Sequence, residues 1–148
     1  MNVISNIFFI MELNIMAIAV ATVVQFIIGG VWYMGIFGTL WGEMHGFNAL
    51  TKEAQQKAQQ HMRPLLFVQF GLTVMTTFVL ALLMTGLPTQ WSGYGLAGFV
   101  WLGFVLPAQV SAVIFGGTEP KWVIKKIAVS TGASLVSLLA AAAVLMYL

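Results

Sequence analysis

Lysine and arginine occur in only two short windows of this chain, with long uncharged apolar runs around them. Lys52, Lys57 and Arg63 form one window; Lys121, Lys125 and Lys126 form the other. A run of roughly 20 apolar residues, wound as a helix, crosses the ~30 Å hydrocarbon layer of a bilayer. The apolar runs meet that length, so they set both the solvent and the fold class: an all-α integral membrane bundle.

Composition supports this from the surface side. Only 7% of the 148 residues are charged, and 60% are hydrophobic. Soluble domains carry about 25% charged residues, so this chain has too few to cover a water-facing surface. The net charge of +2 comes with no basic face outside the two windows, which argues against nucleic acid as a partner. With no cysteine, disulfides and thiolate metal centres are excluded.

Four spans are expected, at about residues 13–36, 64–87, 91–115 and 123–147, forming a single domain. Unbroken runs without period-two alternation favour helices over barrel strands. Four crossings put the loops after spans one and three on the same side, and those loops hold all six cations. By the positive-inside rule both basic loops lie in the cytoplasm, both termini lie outside, and dual insertion is disfavoured. Residues 1–12 are expected as a short interfacial extension, with Glu12 at headgroup level; Met11 would equally serve as a start.

Between spans one and two, Thr51 to Met62 is expected as a short cytoplasmic amphipathic helix. Thr51 caps it, Glu53 suits its first turn, and Leu50, Ala54, Ala58 and Met62 form a weak apolar stripe. Trp41 and Trp122 belong at the inner interface, and Trp91, Tyr94 and Tyr147 at the outer one.

Inside the spans the informative residues are few. Gly29 and Gly30 permit close backbone approach or local unwinding, followed by Trp32 and Tyr33. Gln25, Gln69 and Gln109 are amides within apolar runs, and each needs a partner in lipid. By depth, Gln69 and Gln109 are expected to bond across spans two and three, with Gln25 nearer the midplane. These amides, walled by Trp32, Tyr33 and Trp101, form a candidate polar seam for binding or permeation of a small solute. Gly98 and Gly103 are candidate packing positions, and Pro107 should kink the third span, because the carbonyl of Gly103 loses its N–H partner. Small or polar residues at helical spacing, such as Ala17, Ala21 and Gln25, or Ala133, Ser137 and Ala141, would let the helices pack closely.

The string Gly29-x-x-Trp32-Tyr33, then Phe37-Gly38 and Trp41, closes a span that opens Leu13-Asn14. It resembles the small bacterial membrane family catalogued as domain of unknown function 1761. Gly98, Trp101, Gly103 and Pro107 are similar to the family's third span. The resemblance implies a four-span protein of the bacterial inner membrane. It implies no activity, substrate or catalytic residue.

No acid or base lies deep in a span, which disfavours a proton-coupled carrier. His45 and His61 share the first loop with Glu43 and Glu53, but their spacing matches no strong metal motif. No nucleophile has an evident base, so an enzyme is not expected, and no cofactor is called for. Two functions lead, nearly level: small-solute permeation or binding through the seam, and a structural or accessory subunit docking a partner through the cytoplasmic loops; a membrane enzyme using His45 and His61 trails them. A homo-oligomer is expected in either case.

Overall fold

The computed structural model of the chain describes residues 13–87 and 90–148. The expected N-terminal extension, with Met11 and Glu12, and the Pro88-Thr89 part of the outer turn lie outside these residues.

The described residues form helices and turns, with no strand among them. Helix α1 runs Ile15–Ile36, α2 is the short Gly38–Met44, α3 is Lys52–Gly86, and α4 is Gly93–Phe115. Helix α5, Val123–Tyr147, is entered through a 3-10 turn at Pro120–Trp122. Among the described residues, α1, α3, α4 and α5 with its entry turn are each long and apolar enough to span a bilayer. The chain is therefore a multi-pass membrane protein. Side chains mark the starts: Asn14 accepts from the Ala17 N–H, Thr51 from Ala54 and Ser92 from Gly95. Each satisfies a donor that the first turn leaves without an intrahelical partner.

One joint differs from expectation. Residues 52–62 are not a separate surface helix; they are the first turns of α3, which continues through Pro64 without a break. A proline removes one N–H and disfavours helix in the residue before it, which is why a boundary was expected there. The flanking residues are good helix formers, and α3 absorbs the loss.

Helix α5 organises the bundle. It runs antiparallel to α1: Trp32 meets Val129 near one end, and Asn14 reaches the Leu148 carbonyl at the other. It runs antiparallel to α4: Gly93, at the start of α4, packs against Met146 near the end of α5, and Trp101 and Gln109 both bond Ser134 further along. Helix α3 packs mainly on α1, where Phe26 and Phe70 meet edge to face. It touches α5 and α4 only sparingly. The order around the bundle is thus α3, α1, α5, α4, with a gap between α3 and α4. The antiparallel order puts every described Lys, Arg and Glu at one end, called the basic end below.

The core is built from small side chains. Ala21, Ala97, Ala141 and Ala142 are 0% exposed and cluster with Leu80 and Leu138. Lipid tails are as apolar as leucine, so burial alone drives little helix association in a bilayer. Close packing and interhelical hydrogen bonds must supply it, and alanines let the backbones approach to do so. Ala141→Leu is expected to overpack this point and destabilise the bundle by about 1–3 kcal/mol, read as earlier unfolding in detergent. Val136→Leu, on the exposed side of the same helix, should leave unfolding unchanged. Equal behaviour of the two variants would contradict the packing described.

Candidate functional site

Two of the spans contain a widened π turn, and each of these turns carries a tryptophan. In α1 the turn is Val31–Ile36, where the Phe37 N–H reaches back five residues to the Trp32 carbonyl at 2.9 Å. In α4 it is Trp101–Val105, where the Leu106 N–H reaches the Trp101 carbonyl. This turn ends two residues before Pro107. Such bulges are rare in helices and frequent at functional sites.

Both indoles hold α5. Trp32 Nε1 donates to the Val129 carbonyl at 2.9 Å. Trp101 Nε1 donates to the Thr131 carbonyl at 3.1 Å and to Ser134 Oγ at 3.0 Å. Ser134 Oγ in turn donates to Gln109 Oε1 at 3.0 Å. The hydroxyls of Ser130 and Thr131 close onto the carbonyls of Lys126 and Ile127. Residues 129–134 of α5 thus form a polar belt gripped from α1 on one side and α4 on the other. Gly132 makes room for the grip, since a Cβ there would lie 3.1 Å from the Trp32 ring.

A second polar pair lies on α1 and α3. Gln25 Nε2 donates to Thr77 Oγ1, and Thr77 Oγ1 donates to the Thr73 carbonyl at 2.8 Å. Gln25 is 6% exposed and Thr77 0% exposed, so the pair is sealed inside the bundle.

These positions do not make one continuous seam. Gln25 pairs with Thr77, while Gln109, Trp32 and Trp101 belong to the α5 belt. The expected bond between Gln69 and Gln109 does not form: Gln109 bonds Ser134, and Gln69 is exposed on the outside of α3. Tyr33 turns away toward the basic end, where its ring packs at a tilt against Trp41 with centroids 4.6 Å apart, and Trp41 likewise against His45 at 4.4 Å. His45 Nδ1 lies 2.9 Å from the Trp41 carbonyl, and His61 is exposed. Among the described residues, no three His, Asp or Glu side chains gather as a metal site.

The glycines also depart from expectation. A Cβ on Gly29, Gly98 or Gly103 would meet nothing within 4 Å, and one on Gly30 would touch only its own helix's Met34. They are not close-approach points. Gly93, packed against Met84 and Met146, and Gly132 are the crowded ones in the spans. Sequence reasoning missed both, along with Ser134 and Thr77 as specific partners. The available signal was that a buried indole N–H or amide needs an acceptor, and hydroxyl-bearing residues cluster in the first half of α5.

An apolar groove of about 290 Å³ lies in the gap between α3 and α4, lined by Thr76, Val79, Leu83, Val100, Val105 and Leu138 among others. A smaller one of about 100 Å³ lies near Asn14, Thr85 and Leu145.

A family model described as "Protein of unknown function (DUF1761)" matches residues 16–146. No curated protein and no solved structure matches the chain.

The Gln25–Thr77 bond is open to a double-mutant cycle. Gln25→Leu and Thr77→Val should show a coupling of about 0.6–2 kcal/mol, the range for interhelical bonds in membranes, when unfolding is followed in detergent. Strictly additive effects would mean the bond contributes nothing. Gly132→Val should displace Trp32, seen as a shift in tryptophan fluorescence that Ala133→Gly does not reproduce; unchanged emission would contradict the seating of the indole.

Proposed function

The chain belongs to the DUF1761 family, described only as proteins of unknown function, and on its geometry we propose that it is a structural or accessory subunit of the bacterial inner membrane. It docks a partner through its basic end, which faces the cytoplasm. The observation that carries this is a preformed surface at that end. Helix α3 has 35 residues, about 52 Å at 1.5 Å per residue, against a hydrocarbon layer of about 30 Å. Roughly 20 Å of rigid helix is left to project, and the exposed Gln56, Lys57, Gln59, Gln60 and His61 lie on it. The loop before α3 is tied to this projection by Gln55 Nε2, which donates to the Phe47 carbonyl at 3.1 Å, and to α2 by Asn48 Nδ2, which donates to the Thr39 carbonyl at 3.0 Å. A surface ordered in advance loses less entropy on binding than a mobile loop would.

Orientation rests on the cations. All six Lys and Arg lie at the basic end, and positively charged loops are retained in the cytoplasm. Trp122 sits among them, with the Lys121 and Lys125 ammoniums at 5.5 and 5.2 Å from its ring centroid. That arrangement suits the headgroup layer, where an indole and an ammonium are both at home.

Solute permeation through the interior has less support. Gln25, Gln109, Trp32 and Trp101 bond other groups of the bundle, which leaves little to replace the hydration shell of a passing solute. No enzymatic role is proposed.

The chain has no native cysteine, so Lys57→Cys and Lys125→Cys give a direct topology test. Both should react with a membrane-impermeant maleimide only from the cytoplasmic side. A photo-crosslinking residue at Gln56 or Gln60 should capture one discrete partner in intact cells, and Lys57→Glu should reduce that adduct severalfold. Solute flux in proteoliposomes that falls with Gln25→Leu would contradict the proposal and restore permeation.

A further inference from the structure

The membrane-embedded part of α3 carries a second apolar face, turned away from α1, and two polar residues, Gln69 and Thr76, interrupt it. Leu65, Leu72 and Val79 recur every seven residues on this face, with Gln69, Thr76 and Leu83 recurring between them. The steps alternate four and three, the 3.5-residue average of a two-stranded left-handed coil. Leu65, Gln69, Leu72, Thr76 and Val79 are all exposed, and Leu83 is half-buried at the edge of the gap. Helix α3 bonds the backbone of Gln69 through Thr73 Oγ1, but the Gln69 amide side chain has no partner among the described residues.

That amide is the anomaly. Gln69 lies six residues beyond Arg63 along the helix, about 9 Å by the helical rise; with roughly 20 Å of α3 projecting, that places it a few ångströms inside the hydrocarbon edge. An amide facing lipid forfeits its hydrogen bonds. Thr76, two turns further along the same stripe, hides its hydroxyl on the Leu72 carbonyl at 3.0 Å. A glutamine cannot be satisfied that way along its whole amide.

We infer that a second copy of this chain covers the face, pairing α3 with α3 in parallel around a two-fold axis. Three observations choose this occupant over another. An amide both donates and accepts, so Gln69 is complementary to its own counterpart across such an axis. Two copies that obey the same one-sided charge distribution insert the same way round, which makes their α3 helices parallel and sets equivalent positions of the repeat face to face. The seam also runs into the groove of about 290 Å³ between α3 and α4, where Thr76, Val79 and Leu83 form the α3 wall. A helix docked on the seam fills that groove. The single amide then fixes register and partner number, as an isolated polar residue does in a coiled coil. The pairing is independent of whatever docks at the basic end.

The absence of cysteine makes the test direct. Single cysteines at Leu65, Leu72 and Val79, and at Phe67 and Val74 as exposed off-seam controls, are oxidised in vesicles at low protein-to-lipid ratio. Disulfide-linked dimers should form at the first three positions and be several-fold scarcer at the controls. By energy transfer between labelled copies in the same vesicles, Gln69→Leu should weaken dimerisation about 3- to 30-fold, and Gln69→Asn should recover most of it. Gln69 is exposed and its variants leave the bundle core untouched, so folding is monitored by unchanged thermal unfolding. Cross-linking without the seven-residue periodicity, a monomer at all protein densities, or a Gln69→Leu chain that pairs as well as the parent would each overturn the inference and leave the face to lipid.

Discussion

In hydrocarbon a polar group has no water to fall back on, and the arrangement of this bundle follows from that constraint. The backbone meets it by being helical. The few polar side chains meet it by finding each other or a carbonyl, and in doing so they decide which helix stands next to which. Trp32 and Trp101 reach α5 from opposite neighbours, Ser134 and Gln109 join α4 to the same stretch, and Gln25 with Thr77 joins α1 to α3. Small residues then let the backbones approach around those bonds, which is why Ala21, Ala97, Ala141 and Ala142 occupy the fully buried positions. The two π turns belong to the same solution. Each lies where a tryptophan leaves its helix to meet α5, and the second directly precedes the Leu106-Pro107 step.

Much of the architecture was legible in the residues themselves. Span number and the three shorter spans' limits follow from runs of uncharged apolar residues bounded by turn formers, and hydropathy is a strong signal because length must match a fixed thickness. The family signature around Gly29, Trp32 and Tyr33 was likewise readable, and the match over residues 16–146 bears it out. The start of α3 was not. Pro64 looks like a boundary because proline disfavours helix locally, and only the cooperativity of a 35-residue helix outweighs it.

The candidate site was less legible, for a different reason. A sequence shows that Gln25, Gln69 and Gln109 need partners, and it gives their depth. It does not give azimuth. Gln69 and Gln109 were matched by depth, yet Gln109 turns inward to Ser134 and Gln69 turns outward. Glycine is ambiguous in the same way. Gly29 and Gly98 fit a packing stripe but touch no neighbour, whereas Gly132, without a conspicuous motif, is the residue that Trp32 needs small. What separates these cases is a rotation of the helix by a fraction of a turn, and composition carries no information on it.

The central claim is that the polar belt of α5 is dry and closed by its two tryptophans. Exchange of the indole Nε1 protons with water, followed by NMR on the chain in lipid nanodiscs with each tryptophan assigned by substitution, tests this most directly. The protons of Trp32 and Trp101 should persist for hours after transfer to deuterated buffer, while that of Trp122 among the lysines of the basic end is lost at once. Loss of the Trp32 and Trp101 signals as fast as that of Trp122 would mean water reaches the belt, and the bundle would then be an open path rather than a sealed scaffold.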